Sequence, residues 1–96
     1  MKYLYCVRDR KSGAMSPINI EDNDDNFIRS FGISLQMQKI PASFASDFEG
    51  VKLGEIETPE GLYPRVRGYE CPVPLITGDA AMAPYNDFNA EVEDDG

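Results

Sequence analysis

The chain has 96 residues, of which 42% are hydrophobic and 27% charged, and its formal net charge is −8. These values predict one small folded domain and exclude a wholly disordered chain. The apolar runs are only a few residues long, which excludes a transmembrane helix, and the N-terminal apolar stretch is too short for a signal peptide. We therefore expect a protein of the cytoplasm.

The residue types that most enzymes need are scarce. Histidine is absent, which removes the commonest general base and the commonest transition-metal ligand. Residues 22–26 (DNDDN) lack the spacing of a calcium loop and instead suit the start of a helix. Glu55 and Glu57 share one strand face, but a carboxylate pair needs a deep cleft to cleave a glycosidic bond. We therefore expect a non-enzymatic protein without a metal or another cofactor.

The charge is unevenly distributed along the chain. Residues 1–20 contain four basic residues and one acidic residue, whereas residues 21–96 contain five basic and sixteen acidic residues. An acidic body repels a phosphate backbone at long range. Any binding of nucleic acid would therefore need a local basic patch and would depend on salt.

The N-terminal segment predicts two strands joined by a turn. Residues 2–9 (KYLYCVRD) are rich in β-forming residues and place their two tyrosines on one face. Residues 10–13 (RKSG) have turn chemistry. Residues 14–20 return as a second strand, which Pro17 makes either an edge strand or a strand that begins after the proline.

Residues 21–38 predict an amphipathic helix. Asp22 or Asn23 is a suitable N-cap, because a side-chain oxygen there accepts a hydrogen bond from a free backbone N–H. The apolar positions recur at helical spacing and are Phe27, Ile28, Phe31 and Leu35. Gly32 costs the helix about 1 kcal/mol relative to alanine. We expect that glycine to allow the close approach of another backbone.

A β-hairpin is predicted for residues 51–57 and 62–70, with Pro59 and Gly61 in its turn. Residues 71–78 predict at most a short additional strand, which two prolines interrupt. The order strand, strand, helix, strand, strand predicts an α+β fold. Such a fold is a mostly antiparallel sheet of four to five strands with one helix packed on one face.

The same patterns predict the domain organisation. Residues 1–78 form the single α+β domain, and residues 79–96 form an acidic C-terminal tail that is partly disordered. Cys6 and Cys71 lie in strand-like segments without Cys-x-x-Cys spacing. In a reducing compartment, two buried and reduced thiols are favoured, while a disulfide between them stays open.

Aromatic and basic residues alternate along the second strand of the hairpin. Aromatic rings stack on bases without sequence preference, and arginine neutralises phosphates. A basic cluster near the N-terminus would join this face if the first strand lies beside it. The candidate nucleic-acid-binding residues are Arg8, Arg10, Lys11, Tyr63, Arg65, Arg67 and Tyr69.

An alternative interpretation needs no ligand. In an amphipathic strand, Leu62 and Val66 would point inward and the charged residues would point to water. Edge strands also carry charges that block aggregation. The residues alone leave both interpretations open.

Several segments resemble the small nonstructural protein of gokushovirus-type microviruses, which are single-stranded DNA phages. The matching segments cover roughly residues 3–66 and are YCVRDRKSG (5–13), IRSFG (28–32), FASDFEGVKLGEIE (44–57) and the glycine at position 61. Within them, Arg8, Asp9, Lys11 and Arg29 match the family pattern. The tyrosines and arginines of the hairpin lie outside the matched motifs, and the acidic tail departs from the family.

The resemblance implies a non-enzymatic phage accessory protein of the infected bacterial cytoplasm. It also implies a role in the synthesis or packaging of single-stranded genomes, with single-stranded DNA as the ligand. A second hypothesis is a protein–protein adaptor that acts on a phage or host replication factor without DNA contact. A contiguous positive patch would favour DNA, whereas scattered charges and exposed apolar surface would favour the adaptor. An open sheet edge further suggests a homodimer.

Overall fold

A computed structural model describes residues 1–85. Four strands form one antiparallel sheet in the order β2-β1-β3-β4. The α+β prediction and the ββαββ order are confirmed, with two further short helices. The elements are β1 (Lys2–Asp9), β2 (Asn19–Glu21), α1 (Asp24–Met37), α2 (Ala42–Ala45), β3 (Phe48–Glu57), β4 (Arg65–Thr77) and a helix over residues 78–85, here called α3.

The hydrophobic core lies between α1 and one face of the sheet, here called the helix face. Tyr5 of β1 is fully buried there, and its ring stacks on Phe27 of α1 at a centroid distance of 4.5 Å. Phe31 follows one turn later, 6.0 Å from Phe27. Leu35 is buried as well, and Ile28 packs against the cluster. The apolar stripe predicted for this helix is therefore confirmed.

Helix α1 begins where the sequence predicts. Asn23 has extended backbone angles, and its side-chain oxygen accepts a hydrogen bond of 2.8 Å from the backbone N–H of Asn26. This bond satisfies one of the free donors at the helix start. Asp24 and Asp25 occupy the first turn, where the helix dipole stabilises negative charge.

Gly32 is the point at which α3 reaches α1. The carbonyl group of Ala81 occupies the space that a β-carbon on Gly32 would need. Ala81 and Met82 are both buried in the core. The close backbone approach predicted at this glycine is therefore present. Residues 79–85, expected to begin the tail, form a helix that completes the core, while residues 86–96 lie outside the described part of the chain.

The second strand is short and begins after the proline, as one of the two sequence alternatives has it. Asn19–Glu21 pairs with β1 at the edge of the sheet, and before the proline an isolated bridge joins Met15 to Arg8. The turn before it is held by the carboxylate of Asp9, which accepts hydrogen bonds from the backbone N–H groups of Lys11 and Ser12. These two bonds lower the pKa of Asp9.

Strand β4 is longer than predicted and irregular. It begins at Arg65, three residues later than predicted, and joins the second strand of the hairpin and the short additional strand expected over residues 71–78 into one strand of 13 residues. Residues 69–72 have no partners in the register, because Lys52 pairs with Val73 and Gly54 already pairs with Gly68. This bulge carries Cys71, whose thiol is free and exposed. The expectation of two buried thiols is therefore right for Cys6 and wrong for Cys71.

Candidate binding surfaces

The β3–β4 hairpin extends past the part of the sheet that α1 covers. Residues 55–67 of this hairpin are here called the arm. Glu55 lies opposite Arg67 and Glu57 lies opposite Arg65, so these four side chains share one face. Tyr3, in the same row of β1, places them on the helix face. Gly61 has φ 76°, a conformation that favours glycine, at the turn predicted from the sequence.

Apolar side chains at the tip of the arm are exposed. The exposed fraction is 59% for Leu62, 91% for Tyr63 and 66% for Val66. The prediction that Leu62 and Val66 point inward is therefore wrong. The reason is physical, because Val66 lies on the sheet face opposite α1 and Leu62 lies beyond the last paired residues of the hairpin, Glu57 and Arg65, so neither has a core in which to be buried.

The arginines of the arm differ in their partners. The guanidinium group of Arg67 forms an ion pair of 2.8 Å with Glu55. Arg65 forms no ion pair with a carboxylate of residues 1–85. The hydroxyl group of Tyr69 donates a hydrogen bond of 3.3 Å to Glu55. Burial is the largest cause that raises the pKa of Tyr69, and Glu55 adds to it.

A polar cluster at the base of the arm was not predicted from the sequence. The carboxylate of Asp24 accepts a hydrogen bond of 2.7 Å from the Tyr5 hydroxyl group and forms an ion pair of 3.0 Å with Lys52. The ammonium group of Lys52 also lies 4.0 Å from the centroid of the Tyr3 ring. Gly50, two residues earlier in β3, faces Phe27 of α1. Strand alternation therefore puts Lys52 on the helix face as well, and this spacing was the only sequence signal for its position.

The contacts of this cluster oppose the effect of burial on its charged groups. Burial alone would raise the pKa of Asp24, but the hydrogen bonds from Tyr5 and Lys52 and the charge of Lys52 hold it below the usual value. Burial would lower the pKa of Lys52, but Asp24 raises it. Burial and the Asp24 contact together raise the pKa of Tyr5. The cluster therefore ties the start of α1 to the sheet and keeps both charges.

The N-terminal basic residues lie at the other end of the sheet, next to acceptors of their own. Arg8 pairs with Glu49 at 3.5 Å, and Lys11 pairs with Asp47 at 3.4 Å. Arg10 donates a hydrogen bond of 3.3 Å to the backbone carbonyl of Ser46.

The seven candidate residues do not form one contiguous patch. Arg67 lies opposite Glu55 and Arg8 lies opposite Glu49, so six positions of β3, or roughly 20 Å, separate the two rows. Alternation along β1 also places Arg8 on the face opposite Tyr3 and Tyr5. Strand β3 lies between β1 and β4. The condition under which the two basic groups would join, adjacency of β1 and the second strand of the hairpin, is not met.

Neither sheet edge offers a long regular strand to a neighbour. The edge strand β2 has three residues. The edge strand β4 is interrupted by the bulge at residues 69–72 and by Pro72 and Pro74. Bulges and prolines blunt an edge, because they remove or misdirect the backbone donors that a second strand would need. Homodimerisation through a sheet edge stays a prediction.

Within residues 1–85, no group of three or more histidine, cysteine, aspartate or glutamate side chains is arranged to hold a metal ion. No helix in that range is long and apolar enough to cross a membrane.

The fold and its surfaces define a small acidic α+β protein. The family to which it belongs follows from comparison with known proteins. The family model of the phage ORF5 protein matches residues 2–80, and the chain therefore belongs to that family. No curated protein and no solved structure matches the chain. The phage origin expected from the sequence is thus confirmed, whereas the narrower gokushovirus-type assignment stays a prediction.

Proposed function

We propose that this phage protein is a non-enzymatic accessory protein of the infected bacterial cytoplasm. In this proposal it acts as an adaptor that binds a protein of the phage or host replication machinery without contacting DNA. The observation that carries the proposal is the separation of the basic residues. Arg8 and Arg67 lie at opposite ends and on opposite faces of the sheet, and each faces a glutamate.

The electrostatics support a protein partner over a nucleic acid. A protein that holds a phosphate backbone needs several cations free of local carboxylates. Here Lys2, Arg8, Lys11, Lys52 and Arg67 each form an ion pair within the chain. The net charge of −8 would slow the approach of DNA and speed the approach of a basic protein surface.

The absence of histidine supports a role without catalysis. The charged groups with shifted pKa values also have structural explanations. Asp24 and Lys52 tie α1 to the sheet, and Asp9 holds a turn. A hydrogen bond from Thr77 is the first cause that lowers the pKa of Asp79. None of the shifted carboxyl groups of residues 1–85 therefore needs a catalytic role to explain it.

Single-stranded DNA binding through the arm is the second candidate function. It is favoured by one observation, the exposed Tyr63 with Arg65 two residues later and without an ion pair among residues 1–85. A base stacked on Tyr63 would place its phosphate near this arginine. The four acidic residues Glu55, Glu57, Glu60 and Glu70 in or beside the arm count against it.

One experiment separates the two functions. The binding of a fluorescently labelled single-stranded oligonucleotide is measured by anisotropy at low and at moderate salt. The wild type is compared with an Arg65→Ala/Arg67→Ala variant and with a matched Arg8→Ala/Lys11→Ala control. The adaptor proposal predicts no saturable binding at either salt concentration. Salt-sensitive binding that only the arm variant loses would overturn it in favour of DNA.

A second experiment tests the adaptor function directly. The tagged protein is purified from phage-infected cells with and without nuclease, and the co-purifying proteins are identified. We expect a phage or host replication protein with a basic surface, retained after nuclease treatment and released by salt. A partner that is lost with nuclease would show that DNA bridges the two proteins and would contradict the proposal.

A further inference from the structure

A groove separates the edge strand β2 from helix α1. Its volume is about 290 Å³, enough for one or two side chains but at the small end for a small-molecule site. Val7, Phe27 and Phe31 supply apolar surface, Ser30 and Ser34 of α1 supply hydroxyl groups, and Glu21 of β2 supplies a carboxylate. The groove therefore suits an apolar side chain with a polar or charged group beside it.

Glu21 is the feature that selects the ligand. Its side chain is half-buried and forms no hydrogen bond or ion pair within residues 1–85. Residues 86–96 contain no lysine or arginine that could pair with it. Of the other half-buried carboxylates of residues 1–85, Asp24, Asp47, Glu49 and Glu55 each meet a lysine or arginine, and Asp9 and Asp79 accept hydrogen bonds instead. A partly desolvated carboxylate without a partner favours the binding of a cation.

The arm of the same protein has the complementary chemistry. Residues 61–67 (GLYPRVR) contain two arginines and no acidic residue. Tyr63 is almost fully exposed, and Leu62 is mostly exposed beside it. An aromatic ring on a projecting hairpin leaves apolar surface in water, which a neighbouring molecule can cover. Arg65 is the cation closest in sequence to this ring and has no ion pair among the described residues.

The arm cannot reach the groove of its own chain. Glu21, Tyr3, Glu55 and Arg67 form one row across the sheet. Glu21 and Arg67 lie on the two edge strands of that row, three strand spacings or roughly 14 Å apart. Arg65 lies two residues further toward the tip of the arm and is therefore further from Glu21 than Arg67 is. An occupant with this chemistry must therefore come from another molecule.

We propose that two copies of this chain exchange arms, so that the arm of each copy occupies the groove of the other. Tyr63 fills the apolar part of the groove, and Arg65 pairs with Glu21. The arrangement is reciprocal, so two identical contacts close a symmetric dimer. The contact is made by side chains and needs no backbone hydrogen bonds between the edge strands of the two copies. The inference goes beyond the adaptor function and does not depend on it.

A charge exchange between the two sites tests this dimer. The mass of the full chain is measured by sedimentation equilibrium from low to high micromolar concentration, and circular dichroism confirms that each variant is folded. Glu21→Arg and Arg65→Glu each create two like-charged contacts per dimer and should weaken dimerisation about tenfold or more. Tyr63→Ala removes an anchor from both contacts and should weaken it about 30-fold or more.

Mixing the two charge variants gives the decisive result. In a mixed dimer, Arg65 of one chain meets Glu21 of the other, and the introduced glutamate meets the introduced arginine. We therefore expect the mixture to dimerise about as tightly as the wild type, although each variant alone dimerises more weakly. Arg29→Glu, which reverses an exposed charge on α1 outside the arm and the groove, is the matched control and should dimerise like the wild type.

Three outcomes would overturn the inference. A wild-type chain that stays monomeric at high micromolar concentration would show that the arms are not exchanged. A dimer that persists in both charge variants would place the interface elsewhere, for example at a sheet edge. A mixture that remains monomeric although the wild type dimerises would exclude the Glu21–Arg65 contact. None of these results bears on the oligonucleotide experiment, which tests the proposed function separately.

Discussion

Replacing Gly32 with alanine sets two effects of opposite sign against each other. Alanine is favoured over glycine in a helix by about 1 kcal/mol, so an isolated α1 would gain stability. In the folded protein, however, the new methyl group would occupy the position of the Ala81 carbonyl group. That neighbour is backbone and cannot turn away as a flexible side chain would, so α3 must move.

The size of the loss follows from what α3 buries. Met82 is 3% exposed, and full burial of a methionine side chain is worth about 1.5–3 kcal/mol. Partial loss of that burial, together with overpacking of about 1–3 kcal/mol, outweighs the gain in helix propensity. We expect Gly32→Ala to lower the free energy of unfolding by about 1 kcal/mol or more, and the melting temperature by about 4–8 °C per kcal/mol.

Urea unfolding monitored by circular dichroism measures this change. The matched control is Gly68→Ala, because no atom lies within 4 Å of the position that its β-carbon would take. The control should stay within about 0.5 kcal/mol of the wild type, as surface substitutions usually do. Hydrogen exchange should also accelerate in residues 78–85 of the Gly32 variant. A Gly32→Ala protein as stable as the wild type would refute the role assigned to α3.

Three further predictions concern the core, the polar cluster and the thiols. Phe27→Leu should cost about 1–2 kcal/mol in urea unfolding, since it removes the stack on Tyr5; an unchanged midpoint would contradict this. Because the folded-state pKa of Asp24 is lowered, its contribution is present above its unfolded pKa of about 4 and is lost as the pH falls through the folded value. The stability gap between wild type and Asp24→Asn should therefore shrink from pH 7 toward pH 3, and a constant gap would exclude the charge as its cause. A thiol reagent should titrate Cys71 at once and Cys6 only in denaturant, because Cys6 is buried and burial raises its thiol pKa; two fast thiols in native buffer would argue against the buried position of Cys6.

The sequence was informative wherever a local rule and the tertiary fold agree. Helix α1 has its cap at Asn23 and its apolar stripe at the predicted positions, because N-capping and helical periodicity depend on nearby residues. The turn at Gly61 was predicted for the same reason. Gly32 was recognised as a point of close approach because glycine in mid-helix is costly unless something requires it.

The sequence was uninformative where the outcome depends on which strands are neighbours. Whether Arg8 joins Arg67 is decided by the position of β3 between β1 and β4, and no local pattern encodes that order. The exposure of Val66 depends on which face of the sheet the helix covers. Helix α3 was missed because the acidic composition of the C-terminal residues masked the apolar pair Ala81 and Met82.

The position of α3 also determines when the protein can fold during synthesis. Strand β1 is synthesised first, yet its neighbour β3 begins only at Phe48. The space beside Gly32 is occupied by the backbone of Ala81 in α3, which is synthesised later still. Contacts between residues far apart in sequence form late and slow the search for the native state. A growing chain therefore carries an unfinished core until Ala81 and Met82 have been translated. Folding of this protein is thus tied to the synthesis of α3, and a chain truncated before residue 82 would expose apolar surface and be prone to aggregation.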